Sequence, residues 1–126
     1  MDAILTNVNW TAVIIGTIAS FALGHVWFGK LFGGVWATGS HNITLPARPA
    51  MLPMAGQLLG TFLMAWVIGA TASIAAPATA VVVILAVAVL QFSGALFSQK
   101  SLAAALIEGG FVGAMGAIMI AVQAII

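Results

Sequence analysis

Cysteine is absent from this 126-residue sequence and charge nearly so, with three Lys or Arg and two Asp or Glu against 63% hydrophobic residues. Without cysteine there is no disulfide framework, no thiolate nucleophile and no Cys-based metal site. A soluble domain carries roughly a quarter of its residues as charge, so 4% cannot coat a surface that faces water. Nucleic acid is excluded as a partner, because phosphate backbones are met by clustered Lys and Arg and the net charge here is +1. Enzymatic motifs are missing as well. There is no nucleophile elbow and no His-Glu pair at zinc-protease spacing, and Leu31-Phe32-Gly33-Gly34 lacks the Lys-Ser/Thr of a phosphate loop. No enzyme is expected.

Long apolar runs fill the space that charge leaves. A spanning helix needs about 20 apolar residues, since lipid offers backbone groups no partner and a helix satisfies them internally. Four windows qualify: 10–29, 52–72, 77–97 and 102–125, the last with Glu108 as its single charge. The β-branched run Val81-Val82-Val83-Ile84 sits inside a 21-residue apolar stretch and reads as a membrane helix rather than a strand. Pro46, Pro49 and Pro53 precede or open the second window and Pro77 opens the third, where a proline costs no needed hydrogen bond. The expected fold is all-α, a single four-helix membrane domain. Residues 30–51 form its one long connection, an interfacial loop whose start, Leu31 to Trp36, lies along the headgroups.

Met1-Asp2-Ala3 lacks the positive region of a signal peptide, so the first segment is expected to stay in the mature protein. Four crossings put Lys30, Arg48 and Lys100 on one side. The positive-inside rule makes that side cytoplasmic and both termini external. Asn42-Ile43-Thr44 fits a glycosylation acceptor, but a cytoplasmic position would leave it without meaning. Trp10 and Trp66 then fall toward one interface and Trp27 and Trp36 toward the other, as anchors of an aromatic belt.

Helices in lipid are held by close backbone approach and by interhelical hydrogen bonds. Small residues recur every four positions: Ala12, Gly16, Ser20 and Gly24 in the first helix, and Ala105, Gly109, Gly113 and Ala117, with Gly116 adjoining, in the last. Such stripes pack inside the bundle or against another subunit. The six methionines read as gap fillers. A faint likeness between Gly24 to Lys30 and Gly94 to Lys100 would suit a two-plus-two repeat.

Each span also carries one polar residue in the same half of the bilayer. Counting about 1.5 Å per residue from the Lys markers and from Pro53, Gln57 lies roughly 6 Å deep, His25 roughly 8 Å, Glu108 roughly 12 Å and Gln91 roughly 14 Å. Gln57 shares its helix face with Thr61 and Ala65, and Gln91 with Ala88 and Ala95. Glu108 and His25 occupy edge positions instead. A charge at this depth costs several kcal/mol, so Glu108 requires a partner. The expectation is a Glu108/His25 contact completed by Gln57 and Gln91. A membrane acid beside a titratable histidine is common equipment of proton-coupled paths, and a lone His25 beside Trp27 and Phe28 could ligate a chlorin or haem. The plainer alternative is that these groups join helices. His41 lies in the polar loop and reads as solvated.

The run Trp27-Phe28-Gly29-Lys30-Leu31-Phe32-Gly33, followed by Trp36 and a polar loop, and Phe97-Ser98-Gln99-Lys100 leading into the last helix, resemble the bacterial membrane family catalogued as domain of unknown function seventeen sixty-one. That family's first helix ends in a Trp-aromatic-Gly-x-Leu-Phe-Gly signature. This chain departs from it with Lys30 where proline is frequent, and with a shorter polar loop. The resemblance implies a four-helix protein of a bacterial inner membrane with no assigned activity, and no catalytic residues carry over. The expected role is an accessory or structural subunit packing against lipid and other membrane subunits or copies of itself. The alternative is a small oligomeric transporter or channel built on His25 and Glu108.

Overall fold

The computed structural model describes residues 5–44 and 51–126. Arg48, Pro46, Pro49 and Met1-Asp2-Ala3, on which parts of the loop and orientation reading rest, lie outside the described residues. In chain order the elements are α1 (Trp10–Val26), a π-helical turn (Trp27–Leu31), α2 (Gly33–Gly39), α3 (Met51–Ser73), α4 (Pro77–Phe97) and α5 (Leu102–Ile125). Among the described residues there is no strand. Four helices are long and apolar enough to cross a membrane: Trp10–Leu31, Met51–Ser73, Pro77–Phe97 and Leu102–Ile125.

The ends of these helices follow from local chemistry. Asn9 and Ser101 cap α1 and α5 by accepting from the N–H groups of Ala12 and Ala104, which leaves fewer orphan donors at each start. Pro77 opens α4 in its first turn. Helices α3 and α4 both stop in the same way, with a 6→1 and a 5→2 backbone bond. Ala76 reaches Thr71 and Ala75 reaches Ala72; Lys100 reaches Ala95 and Gln99 reaches Leu96. The left-handed residue such a stop requires is Ala75 (φ 52°) in one and Gln99 (φ 63°) in the other, where glycine would be the ordinary choice.

Helix α5 is the hub, packed against α1, α2, α3 and α4. Half of its most apolar window is buried (50%), against 17% for α3 and α4. The small-residue stripe of α1 faces inward, since Ala12, Gly16 and Ser20 are all buried. Gly16 lies under Met119, and Gly24 sits so close to Phe111 that a Cβ there would come within 3.1 Å of the ring. Gly109 meets the backbone of Ala88 and the side chain of Phe92. Gly113 does not take part, because nothing lies within 4 Å of where its Cβ would be. Its neighbour Gly116 makes the close approach instead, and a Cβ there would fall 2.6 Å from Ile84. The reason is phase: Gly116 follows Val112 by four residues and shares its buried face, whereas Gly113 is turned about 100° from Val112.

The described part of the long connection begins with helical structure. A π-helical turn adds one residue to the helical repeat, and Phe32 (φ −125°, ψ 7°) then breaks the helix. The chain leaves α1 in a new direction, and the short α2 that follows packs on α5. Ser101 N–H donates to the Gly39 carbonyl at 2.8 Å. His41, with its ring exposed, holds the Ser98 carbonyl through Nε2 at 2.7 Å. The connection after α1 and the turn between α4 and α5 therefore meet at one end of the bundle, and the segments carrying Lys30 and Lys100 meet with them.

Candidate functional site

The site lies at this end and is centred on Glu108, which is buried on α5. Side chains on a helix tilt toward its N-terminus, so the Glu108 carboxylate points back toward the turn before α5. Lys100, the residue just before the Ser101 cap, reaches it with Nζ 2.6 Å from Oε2. The indole N–H of Trp36 on α2 donates to the same oxygen at 3.0 Å. The Gln91 amide on α4 donates to Oε1 at 2.8 Å. Three elements besides α5 thus converge on one carboxylate, and each of its oxygens is occupied. The Lys100 ammonium also lies 5.8 Å from the centroid of the Trp36 ring, within cation–π range.

Aromatic side chains hold Trp36 in position. Phe28 meets it edge-on at 5.0 Å and meets Phe111 at 5.2 Å. Trp27 packs on Phe32 at 4.8 Å and on Phe111 at 6.2 Å, and its indole N–H donates to the Ile107 carbonyl at 2.9 Å. The π-helical turn makes this possible by directing Trp27 and Phe28, which are adjacent in sequence, both onto Phe111. Single π turns are often found where a helix serves a functional site.

These contacts correct several expectations. Glu108 meets Gln91 as expected but does not meet His25. His25 is exposed, because it stands about 100° around the helix from Gly24, whose face touches Phe111. Gln57 is exposed too and does not join the Glu108 group. Trp27 and Phe28, the aromatic neighbours of His25 in sequence, are packed on Phe111. Trp27 and Trp36 turn their N–H groups to the Ile107 carbonyl and the Glu108 carboxylate, so both serve as donors within the bundle. Trp10 and Trp66 meet at a tilt of 55° with ring centroids 5.3 Å apart, at the end of the bundle where α1 begins.

Lys100 and Trp36 are the partners that sequence reasoning missed. Lys100 served there only as a marker of the interface, although it lies eight residues before the one acid in the spans. With cation and acid paired, the site is an electrically neutral clamp. Its chemical capacity is to hold α2 and α4 against α5 by charge-assisted hydrogen bonds.

A cleft opens beside the clamp, between α3 and α4, with α5 as its floor. It encloses about 400 Å³ and is lined by residues that include Gln57, Gly60, Val87, Gln91 and Met115. Among the described residues, no group of three or more His, Cys, Asp or Glu is placed to hold a metal ion.

Comparison with known proteins identifies a family. The family model described as "Protein of unknown function (DUF1761)" matches residues 11–123. No curated protein and no solved structure matches.

Proposed function

Since the chain belongs to DUF1761, a family of unknown function, we propose its role from its own architecture: a non-enzymatic, structural or accessory subunit that packs against other integral membrane proteins. The observation carrying this reading is the occupied carboxylate. Glu108 bonds Lys100, Trp36 and Gln91 at once. A carrier's acid must load and release its cargo, whereas one held by donors from three other elements joins helices. Such a pairing also removes the cost of a lone charge in lipid. The exterior supports the same role. Val82, Leu85, Val89 and Leu90 on α4 are exposed, as are Ile14 and Ile18 on α1, and these apolar faces can meet lipid or the helices of a neighbour.

The orientation belongs to the proposal. The end carrying Lys30 and Lys100 faces the cytoplasm by the positive-inside rule, and the start of α1 faces outward. Because the chain has no cysteine, single cysteines placed at Thr38 and at Asn7 can report sidedness to an impermeant thiol reagent without background.

The role is tested by purification in mild detergent together with flux measurements in vesicles. The expected result is that larger membrane proteins co-purify in fixed ratio, and that Glu108→Gln leaves proton and solute flux at the level of empty vesicles. Flux carried by the wild-type protein and lost in Glu108→Gln would overturn the reading in favour of a transporter built on Glu108.

A further inference from the structure

We draw no further inference here: the strongest candidate, the exposed face of α3 that carries Gly56, Gln57 and Gly60 beside the open groove to α4, is an unpartnered helix face, and nothing in the structure shows what covers it.

Discussion

Removing the Lys100 ammonium should damage the protein more than removing the Glu108 charge, although the two groups form one ion pair. The asymmetry comes from burial: the Glu108 side chain is 8% exposed and that of Lys100 is 24% exposed. In Lys100→Met a carboxylate stays buried with only Trp36 and Gln91 as donors. Breaking a buried pair costs about 3 to 5 kcal/mol, and the two surviving donors place this variant near the lower figure, about 3 kcal/mol. In Glu108→Gln the charge left over is the lysine's, which can extend to the interface along its flexible stem. The amide that replaces the acid keeps its shape and an acceptor oxygen, so the cost falls to about 1 kcal/mol. Lys100→Met combined with Glu108→Gln should resemble Glu108→Gln alone, which gives a coupling of about 3 kcal/mol in a double-mutant cycle. Reversible unfolding in mixed micelles of dodecyl maltoside and dodecyl sulfate, read by far-ultraviolet circular dichroism, measures all four proteins. Strict additivity would refute the reasoning, as would a Glu108→Gln variant at least as unstable as Lys100→Met.

Three further outcomes follow from the packing. Gly113→Ala should leave stability unchanged or raise it by up to about 1 kcal/mol from helix propensity, whereas Gly116→Ala drives a methyl group into Ile84 and should cost about 1 to 3 kcal/mol; the same micelle titration separates them. Gln99→Gly relieves the left-handed strain at the end of α4 and should stabilise by about 1 kcal/mol, seen as a higher dodecyl sulfate midpoint. Trp36→Phe keeps the edge contact with Phe28 but deletes the donor to Glu108, so amide exchange across Gly33–Gly39 should quicken roughly tenfold while that of α3 stays the same.

The four spans were legible because length and hydropathy decide them. Pro77 marked the start of the third, where it stands in the first turn of α4. The Gln91–Glu108 contact was legible in part, since counting residues placed both at a similar depth. Counting depth could not exclude His25, which lies in the same band but on the wrong side of α1. Helical phase held that information, in the 100° that separates His25 from Gly24. Lys100 was overlooked for a different reason. Residue positions locate Cα atoms, whereas a lysine stem spans several ångströms and the Glu108 side chain leans back toward it. Trp36 was illegible from pattern alone. Its position depends on the π-helical turn at Trp27–Leu31 and the break at Phe32, which redirect the chain onto α5, and no residue count predicts that turn. In the stripe of the last helix Ala105 and Gly109 are buried, whereas Gly113 makes no close contact and Ala117 is exposed; the close approach passes to Gly116 by helical phase.

The claim on which the account rests is that Glu108 is neutralised by Lys100 inside the folded bundle. Magic-angle-spinning measurement of the dipolar coupling between Lys100 15Nζ and Glu108 13Cδ, in protein reconstituted into bilayers, tests it directly. A strong coupling, as a 2.6 Å nitrogen–oxygen contact requires, is the predicted result; no coupling at Lys100, or coupling of Glu108 to the ring nitrogens of His25, would contradict it.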